Sequence, residues 1–78
     1  MKLDEAIAAA VAEIERARRK HTPLNSRHEG YAVILEELDE LWDEIKADNN
    51  HLATREAVQV AAMGLAFLVE LCDAEDLL

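Results

Sequence analysis

The sequence predicts an all-α protein, a three-helix chain of one domain (residues 1–78) that completes a helical bundle by homo-oligomerisation. Three observations carry that expectation. Half of the residues (51%) are apolar, and they are mostly aliphatic. Only two glycines and one proline are available to make turns. The apolar positions recur at helical spacing rather than in alternation. A chain of this size buries only roughly 60–65% of its unfolded surface, so a lone copy would be marginally stable and a second copy would complete its core.

The first helix is expected over residues 3–20. Ile7, Val11, Ile14 and the alanines between them form its apolar stripe, and Glu13, Glu15 and Arg16 its outer face. Pro23 disfavours helix in the residue before it, which makes His21-Thr22-Pro23-Leu24-Asn25 a loop. Ser26 followed by Glu29 matches a capping box, which opens a second helix over residues 27–48. Gly30, early in that helix, costs local stability and would allow close approach of another backbone. On the second helix Ile34, Leu38, Leu41 and Ile45 lie within about 60° of arc and form the expected core stripe. Tyr31, Leu35 and Trp42 widen that arc, and Trp42 is expected in the core or at a subunit interface. Asn49-Asn50-His51 is the second joint.

The third helix is expected over residues 52–74. It is apolar almost all round, apart from a strip holding Glu56, Gln59 and Glu70 with Met63 between them. Such a helix needs more neighbours than two siblings supply, which argues for a homodimer or homotetramer. Its uncharged run, Ala57 to Val69, is shorter than the roughly 18–20 residues a bilayer span requires and is expected to be a buried helix.

The formal net charge is −9, from 17 acids against 8 bases. That balance argues against generic binding to nucleic acid or to an anionic membrane surface. Arg16, Arg18, Arg19, Lys20 and Arg27 gather around the first joint, a patch that could meet phosphate groups or simply close a helix whose dipole favours cations in its last turn. Cys72 is the single cysteine, so no intrachain disulfide forms and a reducing, cytoplasmic setting is expected. Among Leu68, Val69 and Leu71 it reads as a small core residue. The N-terminal run, with Asp4 and Glu5, does not look like a secretory leader.

The chemistry-bearing feature is Glu36-Glu37-Leu38-Asp39-Glu40-Leu41-Trp42-Asp43-Glu44, six carboxylates in nine residues. Glu37, Glu40 and Glu44 share about 60° of the helix surface beside the core edge, where like charges repel by a few tenths of a kcal/mol per pair. A divalent cation relieves that repulsion. In an antiparallel hairpin Glu56 approaches the same face. Hard cations such as Mg²⁺ take oxygen ligands in octahedral geometry, and the absence of His and Cys from the cluster disfavours zinc.

These residues resemble the all-α nucleoside triphosphate pyrophosphohydrolases, the MazG-like proteins, over about Ser26 to Leu71. That family carries an ExxE pair on one helix and an ExxD pair on the next. Glu37-Leu38-Asp39-Glu40 matches the first pair, and Glu36 before it supplies the common EE doublet. Glu56-Ala57-Val58-Gln59 stands where ExxD is expected. His28-Glu29-Gly30-Tyr31, leading into Ile34-Leu35-Glu36-Glu37, looks like the small bacterial and phage members.

The resemblance implies hydrolysis of a nucleoside or deoxynucleoside triphosphate to monophosphate and pyrophosphate, with Mg²⁺ or Mn²⁺ as cofactor. It implies Glu37, Glu40, Glu56 and Gln59 as the metal positions, with Glu44 a further ligand or a carboxylate orienting water. Glu37, Glu40 and Glu44 would be the catalytic set. Lys20, Arg27 and His28 are the candidates for substrate contact. Gln59 is the departure: an amide oxygen brings no charge, which lowers cation affinity and predicts a weak enzyme. The alternative is a non-catalytic helical oligomer of the same fold that binds nucleotide or a protein partner. A third reading, an acidic mimic of nucleic acid, fits the charge but not the ordered spacing.

Overall fold

The computed structural model describes all 78 residues and contains three helices and no strand. Helix α1 spans Leu3–Lys20, α2 spans Arg27–Lys46 and α3 spans Asn50–Leu71. A short 3₁₀ turn, Ala74–Leu77, follows α3.

Local chemistry sets the helix ends. The Ser26 hydroxyl accepts from the Glu29 amide at 3.1 Å, as the capping box predicts. Glu29 reaches one residue further back than that motif requires, accepting from the Asn25 amide at 3.0 Å. α2 ends two residues earlier than its sequence suggests, because Asp48 takes a left-handed backbone (φ 56°). The Asn49 amide then reaches Glu44 O at 3.0 Å and the Asp48 amide reaches Ile45 O at 3.1 Å, the pattern of a Schellman close. The same reversal leaves the Asn49 side chain free to cap α3, accepting from the Leu52 amide at 3.1 Å. α3 therefore begins at Asn50 rather than Leu52. It stops at Leu71 rather than residue 74, with Cys72 extended and half-buried after it.

α3 is the central element. α2 and α1 each pack against it, and their backbones stay apart from each other. At the α1–α3 crossing the core is built from small residues. Ala17, Ala62, Met63 and Ala66 are buried, with Ile14, Leu24, Val33 and Ile34 packed around them. Alanines let the backbones approach closely, but they bury little area each. Near the other end of the α2–α3 hairpin, Gly30 makes room for a ring. A Cβ there would meet Phe67 Cδ2 at 2.6 Å and Leu71 Cδ1 at 3.0 Å. The close neighbour is thus a side chain of α3 and not a second backbone.

That contact fixes the rotation of α2. Gly30, Ile34, Glu37, Leu41 and Glu44 turn inward, whereas Leu38 and Ile45, expected in the core, remain about half exposed. On α1, Glu13 lies on an inner edge instead of the outer face, because Gln59 of α3 donates to it. Arg18 closes the far end of the same crossing. Its guanidinium grips the Glu70 carboxylate, with Nη2 to Oε1 at 2.9 Å, and Oε1 also accepts the Leu24 amide at 3.0 Å.

α3 is not the buried helix its composition suggests. Only Ala62, Met63 and Ala66 on it are fully covered. By length and composition alone it is long and apolar enough to cross a membrane. Three of its polar side chains nonetheless face protein: Gln59 and Glu70 meet α1, and Glu56 meets α2.

Candidate metal centre

Three carboxylates converge on one face of the α2–α3 hairpin. Glu37 and Glu40 are one helical step (i,i+3) apart on α2, and Glu56 opposes them from the second turn of α3. Each offers an oxygen, and the three oxygens lie within 4.8 Å of one another. Ligands on opposite sides of an octahedral Mg²⁺ stand about 4.2 Å apart. The 4.8 Å limit is close to the width of one coordination shell.

The electrostatics follow from partial burial and like charge. Withdrawal from water pushes the Glu37 carboxyl up to about 7, helped by the charge of Glu40 and by Glu56. Glu56 is also raised, first by loss of solvent and then by the charge of Glu40, with a smaller push from Glu44. Glu56 Oε2 is shielded from water and has no hydrogen-bond partner. A shielded carboxylate oxygen without a donor is costly, and a cation is one group that offsets that cost.

The remaining predicted residues are placed as follows. Glu44 lies one turn below Glu40, close enough to act on Glu56 through charge but outside the three-oxygen cluster. Gln59 is turned away from it. Its Nε2 donates to Glu13 Oε1 at 2.7 Å, on the α1 side of α3. The three candidates for substrate contact do not come together. Arg27 reaches over the other flank of α2 to the Leu71 carbonyl at 3.5 Å, His28 is exposed in the first turn of α2, and Lys20 is exposed at the end of α1.

What the sequence reading missed is the cleft left between α1 and α2, floored by α3. It holds about 470 Å³ and opens directly beside Glu37. Arg16, Arg18 and His21 line its α1 wall, Glu36 and Glu37 its α2 wall, and Gln59 and Met63 its floor. Arg16 is paired with Glu13, with Nε to Oε2 at 2.9 Å, and this hydrogen bond holds the Glu13 carboxyl below its ordinary value. The basic run was visible in the sequence, but its position across from the acids depends on how α1 and α2 diverge on α3. No protein-family model, no curated protein and no solved structure matches this chain.

Proposed function

We propose that the chain is a Mg²⁺-dependent nucleoside triphosphate pyrophosphohydrolase of MazG-like type, working as a homodimer or homotetramer in the cytoplasm. The observation that carries the reading is the convergence of Glu37, Glu40 and Glu56 from facing helices, with one Glu56 oxygen shielded and unpartnered. The donor set is all carboxylate, which suits a hard cation; Mn²⁺ would substitute for Mg²⁺.

Glu37, Glu40 and Glu56 would hold the ion, and Glu44, at the lower edge, would orient water or add a ligand. Bound there, the ion supplies charge neutralisation for phosphate oxygens and acidifies water. The chain supplies the rest. Glu37, half-protonated near neutral pH, gives up its proton as the site fills. The cleft beside it would hold the nucleoside between α1 and α2, fixing the triphosphate against the acids.

A second reading is favoured by one observation. Gln59 is committed to Glu13, so only three carboxylates face the ion. In that reading the protein is a non-catalytic helical oligomer of the same fold that binds nucleotide or a protein partner.

The deciding experiment incubates the protein with a panel of NTPs and dNTPs plus Mg²⁺ or Mn²⁺, beside a Glu40→Gln control. Monophosphate and pyrophosphate from the unaltered chain alone are the expected products. No turnover across the panel from a folded protein would move the assignment to the binding reading.

A further inference from the structure

The face of α2 that turns away from the acids is also patterned. Tyr31, Leu35, Leu38, Trp42 and Ile45 follow one another at intervals of four, three, four and three, the repeat of a helix–helix seam. A seam of this kind is buried only when a second helix lies along it. Within one chain nothing does, and the five side chains are 40% to 67% exposed. Trp42 and Glu40 are about 200° apart around the helix, so the seam and the acids lie on opposite sides of α2. At its upper end the seam opens into a groove of about 340 Å³ between α2 and α3, where Tyr31 and Ile34 face Gly64, Phe67 and Leu68. A Cβ built on Gly64 would meet nothing within 4 Å.

The chain as a whole exposes more surface than a monomer of its mass, by about the area of one interface. The chain presents 5841 Å² to solvent. A folded monomer of this mass presents about 4,700 Å², which leaves an excess of about 1,100 Å². A stable dimer buries about 800 Å² per partner, so one pairing removes the excess. The radius of gyration agrees: 13.1 Å is observed, against about 11.5 Å for a compact domain of this length.

We infer that this seam and groove are the surface on which two copies of the chain pair about a two-fold axis. Leu38 is the midpoint of the seam and lies nearest the axis, and the two α2 helices run antiparallel. Trp42 lies about three turns from the groove, so antiparallel pairing seats each Trp42 in the Tyr31–Gly64 groove of the other copy. One surface thereby supplies both knob and hole, as a closed two-fold contact requires. A lipid surface is the poorer occupant, because Asp39 and Asp43 run beside the middle of the seam. Its bases, Arg27 in the groove and Lys46 over the Trp42 ring, stand only at its two ends, whereas amphipathic helices at membranes carry bases along the apolar face. The pairing specifies the oligomer in the functional reading but does not depend on the cation.

The test uses the whole chain at micromolar concentration and needs no turnover. Light scattering is expected to give the mass of two chains. Emission from Trp42, the only tryptophan, is expected to be shielded from acrylamide and to shift red on dilution. Leu38→Glu puts a charge at the axis. Gly64→Lys fills the groove at a position with open space in the single chain, so it leaves the fold intact. Each is expected to weaken pairing by about tenfold or more with helical circular dichroism retained. Ile7→Glu, on the exposed face of α1, is expected to remain paired. Should Leu38→Glu unfold, Gly64→Lys decides. A single-chain mass for the unaltered protein overturns the inference. So does a dimer in which Trp42 is freely quenched, or one that survives both substitutions. A monomer whose Trp42 becomes shielded only with phosphatidylcholine vesicles would assign the face to lipid and overturn it as well.

Discussion

The Gln59 amide donates to Glu13 Oε1 across 2.7 Å, so the residue three positions after Glu56 serves the α1–α3 contact and not the acid cluster. The i+3 position lies about 60° around the helix from Glu56, and on α3 that rotation points it at α1. Gln59→Asp is therefore expected to set a carboxylate against Glu13 without improving the cation site. Unfolding should become easier by about 1–2 kcal/mol through the lost hydrogen bond and the new repulsion. Calorimetric titration should show unchanged Mg²⁺ affinity. A large gain in affinity would mean that residue 59 reaches the metal after all.

Glu37→Gln removes the carboxyl that is hardest to ionise. Without divalent cation at pH 8, the variant is expected to melt higher than the unaltered protein, because it relieves repulsion with Glu40 and Glu56. It is also expected to lose any Mg²⁺-dependent rise in melting temperature. Thermal melts with and without Mg²⁺ check both signs at once. In a domain this size roughly 4–8 °C corresponds to each kcal/mol.

The pH dependence follows from the same group. Glu37 holds its proton more tightly folded than unfolded, so its contribution favours folding at low pH. That contribution is lost as pH rises from 4.5 to about 7. Glu56 is raised in the same direction. Glu13 is lowered, so it acts in the opposite sense and only at pH below 4.5. Stability in chelator should therefore fall between pH 4.5 and 7. Mg²⁺ affinity should weaken as pH drops below about 7, because a proton must leave for the ion to bind. Flat denaturation midpoints across that range would contradict the crowding of these carboxyls.

Gly30→Ala sets overpacking against helix propensity. Alanine gains about 1 kcal/mol as a helix former, but its Cβ displaces the Phe67 ring at an overpacking cost of roughly 1–3 kcal/mol. A net loss of about 1 kcal/mol is expected in urea titration. The double substitution with Phe67→Leu should recover part of it.

Glu70→Ala removes the acceptor that joins α1, α3 and the first loop. The Leu24 amide loses its partner, and Arg18 keeps only the Thr22 carbonyl at 3.3 Å. A loss of roughly 2–3 kcal/mol is expected, larger than for an exposed ion pair, because Glu70 is largely shielded. Hydrogen exchange should show α1 opening before the α2–α3 hairpin does.

The three helices were legible because local signals dominate them. Apolar residues at helical spacing, Ser26 as a cap and Pro23 as a break placed α1 at both ends and set the start of α2. The acid pair on α2 and Glu56 beyond the hairpin were legible for the same reason: spacing along a helix fixes which side chains share a face. The errors lay where two elements meet. Asp48 and Asn49 closed the hairpin earlier than their neighbours suggested, since a left-handed residue and its hydrogen bonds outweigh propensity at a helix end.

Which edge of the apolar stripe on α2 turns inward was a tertiary decision. Ile34, Leu38, Leu41 and Ile45 form one stripe, and the helix is rotated so that its Ile34–Leu41 edge faces α3 while its Leu38–Ile45 edge stays about half exposed, a rotation that periodicity does not fix. Gly30 against Phe67 chose. That rotation brought Glu37 toward Glu56 and left Trp42 outside, and the cleft opens where α1 and α2 diverge on α3. The sequence by itself determined that the chain is helical and which acids ride together. Only packing on α3 decided which of them meet, because convergence depends on the rotation of each helix about its axis, and no local signal sets that angle.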